Sequence, residues 1–238
     1  MPGLVKCSLN WSIARVCPGI LVLAVLLPLL GGCATGQKEQ VLAAHEPVTA
    51  QESSRELERK PEVAKLDGGM EGFIITEVSQ VDEGAQQDFD RAVTMLERED
   101  YDEAIVLLER IIERSPGVTA PYIDLAIAYG RTGMHGQAEE NLKAALELFP
   151  GHPVACNEYG LLYRRTGRFI EARSMYEMAI ARFPQFYPAH RNLGIVCDLY
   201  LSDLACALEH YEIYSEVMPY DEQVKLWVAD LRARLGRE

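Results

Sequence analysis

Residues 119–152 read TAPYIDLAIAYGRTGMHGQAEENLKAALELFPGH, and residues 153–186 read PVACNEYGLLYRRTGRFIEARSMYEMAIARFPQF. When the two stretches are aligned without a gap, small, apolar and proline residues fall at the same positions. Self-similarity at a fixed period of about 20–50 residues indicates a repeat architecture. The matched pairs are Leu125 with Tyr159, Ala126 with Gly160, Tyr129 with Tyr163, Ala138 with Ala172, and Pro150 with Pro184.

The 34-residue spacing continues on both sides of these two stretches. It predicts four units, at about 85–118, 119–152, 153–186 and 187–221. The matching residues upstream are Ala92, Ala104 and Pro116, and those downstream are Leu193, Gly194 and Cys197.

The first and last units depart from the pattern. Asp88 and Arg91 stand where the other units mostly carry apolar residues. Ala207 and Pro219 follow their equivalents in the third unit by 35 residues rather than 34. We therefore place a one-residue insertion in the turn at about 199–203.

Each unit predicts two helices joined by a short turn. In the second unit, Leu125, Ala126 and Tyr129 recur at helical spacing. Gly133 then ends the first helix, and Ala138 lies on the apolar stripe of the second. The small residues allow the two helices to approach closely. Because one hairpin cannot bury its own apolar face, the hairpins must stack on one another.

The pattern closely resembles the tetratricopeptide repeat, and the resemblance covers about 135 of the 238 residues. It implies an all-α fold, a solenoid of about four helical hairpins. It also implies a scaffold that holds other proteins rather than an enzyme. In this family the first helix of each hairpin lines the concave face, where an extended peptide or a partner helix binds.

Mapping that face onto this chain gives a candidate binding groove that is rich in arginine. Arginine binds carboxylates through its planar, two-pronged donor group. The groove is therefore expected to accept an acidic segment or a C-terminal carboxylate. The alternative is that the arginines pair with Glu158 and Asp124 and only keep the face soluble. The groove residues are Ile123, Ile127, Arg131, Asn157, Leu161, Arg164, Arg165, Arg191, Ile195 and Asp198.

Residues 222–238 predict a capping helix that covers the last hairpin. Their apolar residues follow one helical stripe, and charged residues occupy the opposite side. The stripe consists of Val224, Trp227, Val228, Leu231 and Leu235.

Residues 1–32 are typical of an export signal. Lys6 and Arg15 precede an apolar run at 18–30, which is too short for a comfortable transmembrane helix. The sequence Leu-Gly-Gly-Cys at 30–33 resembles the lipobox of bacterial lipoproteins. That resemblance implies removal of residues 1–32 and attachment of lipid, such as palmitate, to Cys33.

The residue after the cysteine is Ala34 rather than aspartate. By the rule of the lipoprotein family, this favours the outer membrane of a Gram-negative bacterium, with the chain facing the periplasm. Residues 33–84 are mostly polar and charged, so we expect the lipidated cysteine and a flexible linker there. Within the linker, Phe73, Ile74 and Ile75 are expected to form a strand that docks onto the first repeat.

The acidic composition excludes some classes of partner. The net charge is -13, which gives no general attraction for nucleic acid or for an anionic membrane surface. Contact with a membrane is therefore expected through the lipid anchor alone. No phosphate-binding loop, nucleophile elbow or zinc-type cysteine pair occurs in the sequence, so we expect no cofactor, metal or catalytic residue.

Three cysteines follow Cys33, and they leave alternatives open. Cys197 and Cys206 lie across one predicted hairpin and can pair in an oxidising compartment. The interpretation that we favour at this point is that both are small buried apolar residues. A different class of function, a metal- or redox-active protein, would use Cys197, Cys206 and His210.

The leading hypothesis is a periplasmic adaptor or assembly factor for an envelope machine. The candidate machines are a pilus or secretion apparatus, a cell-wall hydrolase and a transport complex. A structural homo-oligomer that stacks repeats between copies is a further alternative.

Overall fold

The computed structural model describes residues 62–65, 73–76 and 83–236. These residues contain nine helices and two short strands. The strands are β1 (Glu62–Lys65) and β2 (Phe73–Thr76). The helices are α1 (Glu83–Glu97), α2 (Tyr101–Arg114), α3 (Thr119–Arg131), α4 (His135–Leu148), α5 (Pro153–Arg165), α6 (Phe169–Arg182), α7 (Tyr187–Leu199), α8 (Leu204–Val217) and α9 (Glu222–Arg234).

The first eight helices form four hairpins, which we number one to four, and α9 follows them. Each second helix contacts the first helix of the next hairpin, and successive first helices contact one another. Among the described helices, no two second helices are in contact. The first helices therefore line the inner side of a solenoid, and the prediction of an all-α repeat fold is confirmed.

Hairpins three and four depend on a glycine in the first helix. A Cβ atom on Gly160 would lie 2.5 Å from the ring of Tyr176, and one on Gly194 would lie 2.5 Å from the ring of Tyr211. Both tyrosines are almost completely buried. The position equivalent to Gly160 in hairpin two is Ala126, and there the second helix carries a leucine instead of a tyrosine. A larger residue on one helix thus accompanies a smaller one on the other.

The turns within the hairpins confirm the predicted insertion. Three residues join the helices of hairpins one, two and three, whereas four residues, 200–203, join those of hairpin four. Gly133 has a φ of 81°, a left-handed conformation that ends a helix and that glycine adopts without strain. Ser202 takes a φ of 55° in the longer turn.

Cys197 and Cys206 form a disulfide across this longer turn. The two Cα atoms lie 6.0 Å apart, within the usual range for a disulfide. The interpretation of the two cysteines as unpaired apolar residues was therefore wrong. Spacing alone does not show whether two side chains across a turn face each other. Cys156 is a buried free cysteine, and its burial raises the pKa of the thiol to about 12.

Helix α9 covers the end of hairpin four, as the apolar stripe predicts. Val224 and Leu231 are fully buried, and Val228 is nearly so. The ring of Trp227 lies 5.2 Å from the ring of Tyr211, centroid to centroid. The opposite side of α9 is exposed and carries charged residues.

The segment before α1 contains a two-stranded antiparallel ribbon, in which Val63 pairs with Ile75. The strand expected at residues 73–75 is therefore present, but its partner is β1 rather than the first repeat. Residues 1–61, which contain the predicted signal and Cys33, lie outside the described residues. None of the described helices has the length and apolar character needed to cross a membrane.

Candidate partner-binding site

Three of the predicted groove residues are buried in the solenoid. Ile123 is fully buried, Asn157 is 3% exposed and Ile195 is 9% exposed. The prediction that these side chains line an open groove was wrong. The repeat pattern identifies the inward-facing side of a helix, but it does not show how far the neighbouring helices cover that side.

Two more predicted residues, on α7, are engaged by the end of the chain. The guanidinium of Arg191 lies 3.8 Å from the carboxylate of Asp221 and 5.5 Å from the ring centre of Trp227. Asp198 forms an ion pair of 3.3 Å with Arg234. Both residues are therefore used within the protein to seat α9, and they are not free for a partner.

The five remaining residues lie on α3 and α5, and we call them the arginine groove. The set consists of Ile127, Arg131, Leu161, Arg164 and Arg165. Arg131 and Arg165 are exposed, and the other three are partly exposed. Apart from Arg164, these residues line one surface depression, between hairpin two and the first helix of hairpin three.

The backbone of α3 leaves room for one arginine. A Cβ atom on Gly130 would lie 3.7 Å from Nη1 of Arg165, so the guanidinium rests close to a position that has no side chain. Gly130 lines the same depression. The partly exposed side chains of Ile127 and Leu161 supply apolar surface beside the charged groups.

Glu158 also lines this depression and belongs to a small polar network. Its carboxylate accepts a hydrogen bond of 3.2 Å from the amide of Asn157. The amide oxygen of Asn157 in turn accepts one of 2.8 Å from Asn192 on α7. Burial raises the pKa of Glu158, and this effect outweighs the opposing influence of Asn157, Arg165 and Arg131. The network joins hairpins three and four, and Asn192 is a member that sequence reasoning missed.

Asp124 is a buried carboxyl with an unsatisfied oxygen. Its side chain is on α3, the residue is 7% exposed, and Oδ2 has no hydrogen-bond partner. Burial is the main cause that raises the pKa of Asp124 to about 7, and the charge of Glu158 adds to the effect. Asp124 is thus only partly ionised near neutral pH.

The arginines keep their charge available at the surface. Within the described part of the chain, neither Arg131, Arg164 nor Arg165 forms an ion pair shorter than 4.0 Å. Glu158 interacts electrostatically with Arg131 and Arg165, but one carboxylate does not balance three guanidinium groups. The arginine groove can therefore offer charged hydrogen-bond donors to a carboxylate.

The residues proposed for the alternative metal or redox site do not come together as one ligand set. In the described residues, the one group with metal-ligand spacing is Cys197, Asp203 and Cys206, and both cysteines are in the disulfide. His210 lies against His190 instead, with 3.1 Å between the two Nδ1 atoms. Nothing in the spacing of the sequence pointed to this histidine pair.

Two family models describe the repeats. Both carry the description "Tetratricopeptide repeat", and they match residues 88–117 and 131–194. The first match covers most of hairpin one, and the second runs from the end of α3 into α7.

Solved structures show the same fold at low sequence identity. A structure titled "Functional Characterization of Pseudomonas Aeruginosa pilF" is 24% identical, with a TM-score of 0.59, over 64% of this chain and 69% of that one. The "type IV pilus biogenesis factor" PilW is 20% identical, with a TM-score of 0.58, over 66% and 72%. MamA from Desulfovibrio magneticus is 18% identical, with a TM-score of 0.56, over 66% and 88%.

A curated relative is similar over a short region. It is the probable UDP-N-acetylglucosamine–peptide N-acetylglucosaminyltransferase SPINDLY of Petunia hybrida, 29% identical over 86 residues. The match covers 36% of this chain and only 9% of the relative's length. The activity in that name therefore belongs to a much longer protein.

Proposed function

Because this chain is a tetratricopeptide-repeat protein, we propose that it is a non-catalytic scaffold whose arginine groove holds an acidic segment or a C-terminal carboxylate of a protein partner. The matches to the repeat family and the similar solved structures support the fold of a protein-interaction scaffold. The choice of groove and of partner chemistry is the proposal.

The observation that supports the proposal is the state of the three arginines. Arg131 and Arg165 line one surface depression, and Arg164 is the neighbour of Arg165 on α5. None of the three forms a close ion pair among the described residues, whereas Arg191 on the next hairpin is already engaged. Unpaired guanidinium groups beside the apolar side chains of Ile127 and Leu161 suit a ligand with both carboxylate and apolar groups. The whole chain is acidic, so this surface is a local exception.

Charge reversal in the groove tests the proposal. The probe is a fluorescent glutamate-rich peptide with a free C-terminal carboxylate, and anisotropy measures its binding to the purified protein. Each charged hydrogen bond contributes about 1.5–3 kcal/mol, so Arg164→Glu with Arg165→Glu should weaken binding at least about tenfold. The same peptide with an amidated C-terminus shows whether the terminal carboxylate is required.

The matched control changes the net charge equally at another place. Arg98 and Arg110 are exposed and lie outside the groove. Arg98→Glu with Arg110→Glu should leave peptide binding within about twofold of the unmodified protein, at a salt concentration that screens long-range attraction. Equal losses in both variants would reject the groove, and so would an unmodified protein that does not bind the peptide.

We extend the proposal to the location of the chain. Cys33 carries the lipid, residues 1–32 are removed, and the solenoid works in the periplasm from the outer membrane. The disulfide in hairpin four supports export, because disulfides persist in oxidising compartments. Incorporation of a clickable palmitate analogue, lost in Cys33→Ala, would support the anchor. Equal labelling of the two proteins would reject it.

The process served by the scaffold is proposed as assembly of an envelope machine. The name printed for PilW, a type IV pilus biogenesis factor, supports a pilus apparatus among the candidates. A cell-wall hydrolase and a transport complex are the other candidates. Capture of crosslinked partners from intact cells, followed by mass spectrometry, separates these three classes.

A further inference from the structure

We infer that the buried contact between His190 and His210 makes hairpin four sensitive to pH, so that acidification separates α7 from α8 and loosens α9. The two imidazoles come from the two helices of one hairpin. Their Nδ1 atoms are 3.1 Å apart and their ring centres 5.2 Å apart. His190 is 3% exposed, and His210 is partly exposed.

The hydrogen bonds of His190 determine which atoms carry protons. Nε2 of His190 lies 3.0 Å from the carbonyl oxygen of Pro184, which can only accept, so Nε2 carries the hydrogen. In neutral His190 the other nitrogen, Nδ1, is then an acceptor. His210 must donate from its own Nδ1 to complete the contact. The neutral pair is thus fully compatible with the observed geometry.

Two added protons have different effects. The first can bind to Nε2 of His210 and leaves the contact intact, because Nδ1 of that ring still donates. The second would have to bind to Nδ1 of His190. Two N–H groups would then face each other at 3.1 Å inside the hairpin, with two positive charges and no acceptor between them. Such an arrangement forces the two helices apart.

The charged groups around the pair do not compensate for this repulsion. Glu209 on α8 favours the charged forms of both histidines. On α6, Glu177 favours a charged His210 and Arg173 opposes it, and these two residues pair with each other at 2.7 Å. Burial is the leading cause that lowers the pKa of both imidazoles. The pair therefore stabilises the fold above about pH 6.5, and this stabilisation is lost as the pH falls below that value.

The position of the pair connects it to α9. Cys197 and Cys206 join α7 and α8 covalently near the turn, so separation is confined to the opposite end of the hairpin. His190 precedes Arg191, which contacts Asp221 and Trp227. His210 precedes Tyr211, whose ring packs against Trp227. Movement at the histidines therefore disturbs two of the contacts that seat α9.

Hydrogen–deuterium exchange of the disulfide-intact full-length protein tests this inference. Exchange in α9 is compared at pH 7.5 and pH 5.0, after correction for intrinsic rates. We expect at least tenfold faster exchange at pH 5.0 in the unmodified protein and in His135→Gln, which alters an exposed histidine. In His210→Gln the pH dependence should disappear. Unchanged protection at pH 5.0, or the same loss in His210→Gln, would overturn the inference.

A second measurement covers the case in which His210→Gln does not fold. Nitrogen-15 NMR of the histidine rings in the unmodified protein reports the protonation of each nitrogen against pH. We expect two well-separated steps for His190 and His210, the second below the usual range of a histidine and accompanied by shifts in α9. Two independent titrations near pH 6.5 without such shifts would show that the contact has no switching role.

Discussion

Hairpins three and four are each built from two helices with an equivalent glycine–tyrosine contact, but the side chains on their inner faces are used differently. On hairpin three, Arg164 and Arg165 keep their charges unpaired among the described residues. On hairpin four, Arg191 and Asp198 are bound to residues at the end of the chain. Equivalent positions, such as Arg164 and Asp198, are therefore unpaired in the middle of the solenoid and engaged with α9 at its end.

Hairpin four also has structural features that hairpin three lacks. Hairpin four has an extra turn residue, a disulfide and a buried histidine pair, whereas hairpin three has none of these. Among the described elements, hairpin three has a hairpin on each side, whereas hairpin four is followed by α9 alone. Additional covalent and polar contacts at the end of the solenoid fit this difference, since each repeat depends on its neighbours.

Removal of α9 should have the largest effect, because it exposes the end of hairpin four. Val224, Val228 and Leu231 are buried there, and each such side chain contributes about 1.5–3 kcal/mol. Deletion of residues 220–238 should therefore cost about 5 kcal/mol and expose Tyr211. Calorimetry and binding of a hydrophobic dye measure the two effects. A chain that ends at residue 235 is the control, and an unchanged melting temperature in the deletion would reject the cap.

Removal of the disulfide should come next. A disulfide that closes a loop of about ten residues contributes about 2–3 kcal/mol in the chain-entropy account. We expect Cys197→Ser with Cys206→Ser to lose that amount in denaturant unfolding, and to become insensitive to reductant. Reduction of the unmodified protein should reproduce the loss. No loss by either route would show that hairpin four does not need the covalent link.

Gly160→Ala tests the glycine–tyrosine packing that occurs in both hairpin three and hairpin four. Its Cβ would lie 2.5 Å from the buried ring of Tyr176, and overpacking costs about 1–3 kcal/mol. Gly136→Ala is the control, since no atom lies within 4 Å of that site and alanine should add up to about 1 kcal/mol. Tyr176→Leu should relieve Gly160→Ala, because hairpin two combines alanine with leucine. Additive losses in the double variant would contradict this coupling.

Asp124→Asn should have the smallest effect at acidic pH, and its effect on stability should grow as the pH rises. The pKa of Asp124 is raised to about 7 in the folded chain, from 3.8. Its contribution to stability is therefore present below pH 3.8 and is lost as the pH rises through 7. At pH 8.5 the asparagine variant should be more stable by up to about 4 kcal/mol, with little difference at pH 4. Urea unfolding measures this, with the exposed Asp102→Asn as the control. A difference that does not change with pH would show that Asp124 is not buried as described.

Most of the fold could be predicted from the repeat pattern. The spacing of small residues and prolines predicted the hairpins, and the 35-residue interval before Ala207 located the longer turn. The hairpins and the longer turn depend on local backbone conformation and on the size of the residues between paired helices. Both can be read from one sequence. The pairing of Cys197 with Cys206 was left open, because it depends on side-chain directions across that turn.

The binding site was predictable only in part. Arg131 and Arg165 line the surface depression, whereas Arg164 lies on the same helix as Arg165 outside it, and binding to any of the three stays a prediction. The burial of Ile123 and the engagement of Arg191 depend on how far neighbouring helices overlap, which periodicity does not encode. Contacts between residues that are distant in a unit, such as the histidine pair, are invisible to a pattern built from equivalent positions.

Site-specific photocrosslinking in living cells tests the central claim most directly. A photoreactive amino acid replaces Leu161 in the arginine groove or Val106, which is 57% exposed on a second helix. We predict a crosslinked partner from position 161 that is absent from position 106. The signal should be lost when Arg164→Glu and Arg165→Glu are added. A partner that crosslinks from position 106 alone, or that persists after the charge reversal, would contradict the assignment of the groove.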